Sequence, residues 1–388
     1  MRDVGVGIIG SGFVAEIHAE ALKRVPNARL AAVASPTEAN VRRFAERFET
    51  PHWYTDYRAL LENPEVDLVS LCLPNDLHCR AAVDAASAGK HVICEKPLCP
   101  SLAEADTMIG ACRDAGVKLM YAEELCFTPK YVRAKQLADE GALGRVYLVK
   151  QSEKHDGPHA DWFWDVQRSG GGVTFDMGCH AIEFFRWILG KRRITSVYAQ
   201  MSTHVHRDRT EGDDDAILIL EFEGGAIGMA EESWAKPGGM DDRAEIYGTE
   251  GVTYADLLYG NAMRTYSRGG YGYAVEKAGT TAGWSFTMFE EIWNYGFPQE
   301  LQEAISAVQE DRPFQGPSGE DGKEVLRAIY AAYESARTGQ KVLYPYEPPA
   351  WATKPIYCWK PWLAPDAPAD LKAEAIERGK QTGNYRVK

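Results

Sequence analysis

The chain of 388 residues is 45% hydrophobic and 26% charged, with a formal net charge of −13. Its length suits two domains with a core each, and its composition excludes wholesale disorder. The acidic balance excludes a nucleic-acid partner, which needs a basic face, and a polybasic membrane-surface protein. No apolar run approaches the roughly 20 residues of a bilayer-spanning helix, so no membrane is expected as a partner. The N-terminus, MRDVGVGIIG, enters a strand directly and predicts no secretory leader. Cysteines at 72, 79, 94, 99, 112, 126, 179 and 358 show neither a C-x-x-C pair nor a zinc spacing. They predict reduced thiols in a cytoplasmic protein.

Residues 4–9, VGVGII, read as a short buried strand that stops at glycines. A helix follows, then a strand over 29–34, a helical stretch over 38–48, and a buried strand over 67–73 that ends at Pro74-Asn75. A helix near 77–89 leads to a strand at 91–94, which runs into Glu95-Lys96-Pro97; helix 101–115 and strand 117–122 complete the series. Such alternation predicts an α/β Rossmann domain with a doubly wound parallel sheet over 1–125. Beyond it, a helix at 129–140 and strands at 146–153, 196–204, 215–222, 226–234 and 243–258 surround one helix at 174–189. With helices at 298–310 and 319–337, they predict an α+β domain over 126–343, built on an open, largely antiparallel sheet.

From Tyr344 the composition shifts. Prolines alternate with Trp351, Tyr357, Trp359 and Trp362. The tail 344–388 is therefore expected to be extended rather than helical. Its tryptophans need cover, either from the chain's own second domain or from a neighbouring subunit.

Gly10-Ser11-Gly12-Phe13-Val14-Ala15 is a G-x-G-x-x-A turn between a strand and a helix. Gly10 permits the tight turn, Gly12 lets backbone approach a pyrophosphate, and Ala15 allows close helix–strand packing. Phosphates would sit at the positive end of the helix, beside Phe13 and Val14. An acidic residue at the next strand end would bond the ribose hydroxyls of NAD. Ser35 stands there instead, with Arg42 and Arg43 on the helix beyond. The cofactor is therefore NAD or NADP, undecided.

Oxidising an alcohol requires a group that accepts the hydroxyl proton and a cation or donor beside the oxygen. Lys96 follows a strand at the carboxyl end of the parallel sheet, where such folds place their sites. Asp176 and His180 are spaced i and i+4, which predicts one face of one helix. Taken alone, Asp176 also reads as a helix cap and His180 as a core histidine. The glycines at 170–172 would let that helix approach a cofactor closely.

The sequence resembles the glucose–fructose oxidoreductase / inositol dehydrogenase / rhizopine-catabolism (Gfo/Idh/MocA) family over residues 4–340. The resemblance rests on GIIGSGFVA at 7–15, Pro74-Asn75 with His78, Glu95-Lys96-Pro97, and Gly171-Gly172-Val-Thr-Phe-Asp176-Met-Gly-Cys-His180, with Gly319-Glu-Asp-Gly322 later. It implies that Lys96 contacts the substrate hydroxyl and cofactor ribose, that His180 is the general acid/base, and that Asp176 holds the hydroxyl and orients the histidine. Pro74, Asn75 and His78 would line the cofactor path, with Glu95 close by. Glu124 stands where relatives often carry asparagine. A homo-oligomer, dimer or tetramer, is implied by analogy.

The segment from His155 to Asp165 mixes aromatic faces with histidines and carboxylates, the groups that read sugars. His155, Trp164, Arg168 and Glu123 are the candidate substrate contacts, although the aromatic residues also read as core packing. His155 and His159 have a ligand-like spacing, but Gly157-Pro158 breaks a helix between them, so no metal site is assigned. The expected activity is NAD(P)-dependent oxidation of a secondary hydroxyl on a sugar, glycoside or cyclic polyol. The alternatives are a cofactor-recycling sugar–sugar oxidoreductase or NAD-dependent glycosidase, and a non-catalytic dinucleotide-sensing regulator.

Overall fold

The computed structural model describes residues 2–237, 240–258, 262–267, 280–288 and 290–385. β1 (Val4–Ile9) is buried along its whole length and leads through the glycine turn into α1 (Phe13–Leu22). There follow β2 (Ala28–Ala34), α2 (Glu38–Arg47), β3 (His52–Tyr54), α3 (Tyr57–Leu61), β4 (Leu68–Leu71), α4 (His78–Ser87), β5 (His91–Glu95), α5 (Leu102–Asp114) and β6 (Leu119–Ala122). The six strands pair in parallel in the order β3-β2-β1-β4-β5-β6. This is the doubly wound order whose reversal between β1 and β4 opens a crevice at the strands' carboxyl ends. Gly5 is required by packing: a Cβ there would stand 1.7 Å from the Glu65 carbonyl oxygen.

The next elements are α6 (Pro129–Asp139), β7 (Val146–Lys154), α7 (Val166–Ser169), α8 (Val173–Asp176), α9 (Gly178–Ile188), β8 (Ile194–Ser202), β9 (Asp215–Phe222), β10 (Ile227–Ser233), β11 (Asp241–Gly248) and β12 (Val252–Asp256). A separate hairpin joins β13 (Ala262–Ser267) to β14 (Gly283–Met288). The larger sheet is mixed and mostly antiparallel, β7 and β10 being its parallel pair. Its register puts Ala216, Glu232, Glu153 and Asp242 in one row across four strands. Gly228 lies on that same face and admits α9, because a Cβ there would meet the Phe185 ring at 2.3 Å.

α10 (Glu291–Tyr295), α11 (Phe297–Gln309), α12 (Gly319–Thr338), β15 (Val342–Leu343), α13 (Pro355–Trp359) and α14 (Ala369–Thr382) complete the chain. The structure divides into two compact units. One holds residues 1–129 with 292–324, and the other holds 130–291 with 325–388. α11 thus returns to the parallel-sheet unit, where it packs on α1. No described helix is long and apolar enough to cross a membrane. All eight cysteines are free thiols.

The tail corrects one expectation, because it is substantially helical. Pro355 and Pro361 occupy first-turn positions, where a missing N–H costs nothing, and α14 begins after the last proline, Pro368. The tail packs on its own unit. Ile356 N–H donates to the Gly170 carbonyl at 3.3 Å, the Tyr357 hydroxyl to Gln167 Oε1 at 2.6 Å, and Lys360 Nζ to the Glu211 carbonyl at 2.7 Å.

Candidate active site

In the first unit the candidate residues gather at the carboxyl ends of the strands. Gly10 follows β1 with φ +127°, and a Cβ there would lie 2.0 Å from the Cys72 carbonyl oxygen. Gly12 caps α1 without a side-chain hydrogen bond, and nothing lies within 4 Å of where its Cβ would stand. Phe13 is exposed, Val14 half-buried and Ala15 wholly buried against the sheet. The start of α1 at Gly12 thus leaves room for the close approach that a pyrophosphate requires.

Ser35 is buried just past β2 and accepts a hydrogen bond from the Ser11 hydroxyl at 2.8 Å. Arg42 pairs with Glu38 at 2.6 Å and lies 4.8 Å over the Trp53 ring; Arg43 bonds Asn40 at 3.0 Å. Pro74 precedes a short turn over Asn75–Leu77, in which Asn75 is buried. His78 is buried too. Its Nε2 lies 2.9 Å from the Leu73 carbonyl oxygen, and its Nδ1 lies 3.1 and 3.2 Å from those of Pro97 and Leu98. Burial lowers its pKa despite these carbonyls. His78 thus braces the turn after β5 through its ring nitrogens.

Glu95 closes β5, and half-buried Lys96 follows it. Burial pushes the Glu95 carboxyl up, but His18 and then Lys96 outweigh it, so its pKa is lowered. Glu123, fully buried, follows β6 and leads into the short turn Glu124–Phe127. Glu300 on α11 faces this cluster. Burial raises its pKa well above the usual range, reinforced by Glu95, Glu124 and Glu123.

In the second unit, Asp176 and His180 do not share one continuous helix. α8 ends at Asp176, Met177 bends to φ −111°, and His180 lies in the first turn of α9. The break corrects the expectation of one helix over 174–189. Its cause is tertiary: residues 172–174 are pinned from outside the helix. The Val173 N–H donates to the Asp213 carbonyl at 2.8 Å and the Thr174 N–H to Asp213 Oδ2 at 2.8 Å. The Tyr333 hydroxyl donates to Asp213 Oδ1 at 2.6 Å and accepts from the Gly172 N–H at 2.9 Å. A Cβ on Gly172 would stand 2.1 Å from the Asp213 carbonyl oxygen, and one on Gly171 2.4 Å from the Tyr333 hydroxyl. These glycines thus serve close approach of the protein's own backbone and side chains.

Both Asp176 and His180 are about 2% exposed. Trp234, fully buried just beyond β10, donates its indole N–H to Asp176 Oδ2 at 3.2 Å. Trp164 packs 5.6 Å from Trp234 and 4.8 Å from His206, and the Arg209 guanidinium lies 4.2 Å over its ring. One face of Trp164 is thereby covered by protein. His155 is buried with its ring 5.2 Å from that of His159. Arg168 is half-buried on α7, whose neighbouring residue Gln167 is held by the tail.

Four residues of this machinery escaped the reading of the sequence. His18 lies on the apolar face of α1, Trp234 past a strand end, Tyr333 within an amphipathic helix, and Asp213 in the run Asp213-Asp214-Asp215. Only the acidic run just before a strand carried a signal. Glu232 adds a fifth polar group, buried with both carboxyl oxygens lacking a hydrogen-bond partner among the described residues. Burial, then Glu153 and Asp242, raises its pKa well above the usual range.

Two family models match the chain. Residues 4–123 match an oxidoreductase family with an NAD-binding Rossmann fold, and residues 131–254 match the GFO/IDH/MocA C-terminal domain. Myo-inositol 2-dehydrogenase of Thermotoga maritima is 30% identical over 339 residues, covering 87% of this chain and 97% of that protein. Levoglucosan dehydrogenase of Pseudarthrobacter phenanthrenivorans is 31% identical over 286 residues, covering 65% and 73%. Among solved structures, GenD2 from gentamicin A biosynthesis, in complex with NAD, superposes with a TM-score of 0.83 at 33% identity, covering 89% of this chain and 97% of that one. The glycine turn, the E-K-P strand end, the Asp176–His180 segment and these matches over both units lead to one conclusion: the chain belongs to the Gfo/Idh/MocA family of oxidoreductases.

Proposed function

We propose that the protein is an NAD(P)-dependent dehydrogenase that reversibly oxidises a secondary hydroxyl of a sugar, glycoside or cyclic polyol. The observation that carries this reading is the buried Asp176, oriented by the Trp234 indole at 3.2 Å and followed by His180 at the start of α9. The kinship with inositol and levoglucosan dehydrogenases supports the substrate class. The open face at Gly12 fits a dinucleotide, and Gly10, Gly12, Phe13, Val14, Ser35, Pro74, Asn75, His78, Glu95 and Lys96 would hold it. When bound, the nicotinamide supplies the hydride acceptor.

The chain's own residues handle the proton and the oxygen. His180 takes the hydroxyl proton as the carbonyl develops and returns it in the reverse direction. Asp176 holds the hydroxyl and orients the imidazole, and Lys96 donates to the oxygen, where negative charge grows. Glu123, His155, Trp164 and Arg168 are assigned to substrate recognition.

The purified protein, incubated with NAD or NADP and a panel of polyols and sugars, should form reduced cofactor in proportion to product. A tightly held cofactor with no net reduction would favour the recycling reading instead. We further assign the protein to the cytoplasm, which suits its eight free thiols. It is assigned as a homo-oligomer, with the sheet face opposite α9, where Ile217, Ile227, Val252 and Tyr254 are exposed, as the contact. Light scattering at the monomer mass would overturn that assignment.

A further inference from the structure

His18 is 1% exposed in the middle of α1, six residues beyond the glycine that caps the helix. A histidine there is an expensive choice for a helix face that packs on a sheet, unless both ring nitrogens are satisfied. Both are. Nδ1 lies 2.9 Å from the Ser70 hydroxyl on β4, and Nε2 lies 2.7 Å from Glu95 Oε1 at the end of β5. Phe297 closes the site edge-on, 5.9 Å from the imidazole centroid. The second carboxylate oxygen, Glu95 Oε2, accepts the backbone N–H of Lys96 at 3.1 Å. An unbroken path of hydrogen bonds therefore runs from the helix carrying the dinucleotide turn to the backbone of the lysine.

We infer that His18 is a positioning residue, which couples the cofactor-binding helix to Lys96 through Glu95 and keeps an anion beside the lysine's ammonium. This rests on the reading that Lys96 contacts the reacting hydroxyl. The titratable groups around Glu95 are His18 on α1, Lys96, Cys94 on β5, Cys72 beyond β4, His78 on α4 and Glu300 on α11. Of these, burial raises the pKa of Glu300 and of both thiols, which disfavours their charged forms, and burial lowers that of His78. The ionised form of Glu95 therefore leans on His18 and Lys96. Without the Nε2–H donor, burial favours the protonated carboxyl, and the anion that supports the ammonium is lost.

The experiment compares His18→Leu, His18→Gln and Lys96→Met, each for kcat/KM against pH with the best substrate found, and for NAD(P)H binding by fluorescence titration. Lys96→Met should abolish turnover. His18→Leu should lower kcat/KM about thirtyfold, as expected for losing a hydrogen bond to a charged group. It should also move the basic limb of the profile about one unit to lower pH, while changing the Kd for NAD(P)H by no more than about threefold. His18→Gln restores an N–H donor and should return the limb towards its wild-type position; it carries the test if the leucine variant does not fold.

An active Lys96→Met would overturn the role of Lys96, and the inference with it. An inactive Lys96→Met beside a His18→Leu enzyme with an unmoved basic limb would overturn the inference alone. A limb displaced as far in His18→Gln as in His18→Leu would also overturn it.

Discussion

Asp176 is buried with an indole N–H on one oxygen, so its orientation is set by the residue immediately past the end of β10. Trp234→Phe keeps most of the ring volume and removes the donor. A hydrogen bond to a charged group is worth about 1.5–3 kcal/mol, so kcat should fall about 10- to 100-fold with little change in KM for cofactor. Steady-state kinetics checks this; an unchanged kcat would show that Asp176 needs no such support. His180→Ala removes the proton acceptor and should lower kcat by about 10²- to 10⁴-fold while leaving NAD(P)H binding intact.

Cofactor choice is also argued at single residues. Ser35 and Ser11 bond one another at 2.8 Å, while Arg42 is engaged by Glu38 and Trp53. Ser35→Asp places a carboxylate where ribose hydroxyls would bond and a 2′-phosphate would be repelled. The ratio of kcat/KM for NADP over NAD should drop about tenfold or more, which measuring both cofactors on both proteins decides.

At the scale of elements, the break between α8 and α9 is the feature that periodicity could not show. The spacing of Asp176 and His180 fits a continuous helix, and Gly170–Gly172 reads as room for a ligand. Both readings use only local pattern. What bends the chain is Asp213, brought in by the strand order, and Tyr333, brought in by α12. Gly172→Ala should therefore destabilise the protein by about 1–3 kcal/mol, since a Cβ 2.1 Å from the Asp213 carbonyl oxygen forces the backbone to shift. A denaturant titration with an unchanged midpoint would contradict this. The tail teaches the same lesson in reverse. Its prolines suggested extended chain, yet Pro355 and Pro361 open helical turns, because proline is tolerated at that position.

At the scale of the molecule, the tail inserts a charge into the second unit. Lys360 is about 3% exposed, with Nζ on the Glu211 carbonyl and 4.5 Å from the Trp359 ring. Burial lowers its pKa from 10.5 to about 8, although Glu211 and Asp213 oppose the shift. The folded protein therefore gives up this proton near pH 8, and the unfolded chain only near 10.5. Between those values the unfolded state binds more protons, so stability rises with pH through the window, by about 3 kcal/mol in all. The deficit is fully present below pH 8. Thermal melts of wild type and Lys360→Met across this range should diverge accordingly, the variant lacking this part of the slope.

Much of this protein was legible in its residues. The glycine turn between strand and helix, the alternation of five strands with helices (the short β3 went unread), and the E-K-P and D-x-x-x-H patterns act over a few positions, where backbone sterics and side-chain periodicity dominate. They determined the Rossmann unit, the cofactor class and the candidate Lys96, Asp176 and His180. What holds those groups was decided by tertiary structure alone. His18 meets Glu95 across 77 positions, and Trp234 meets Asp176 across 58. The physical reason is that a buried polar group is satisfied by whatever donor the strand order carries to it, and local sequence pattern carries no record of that partner.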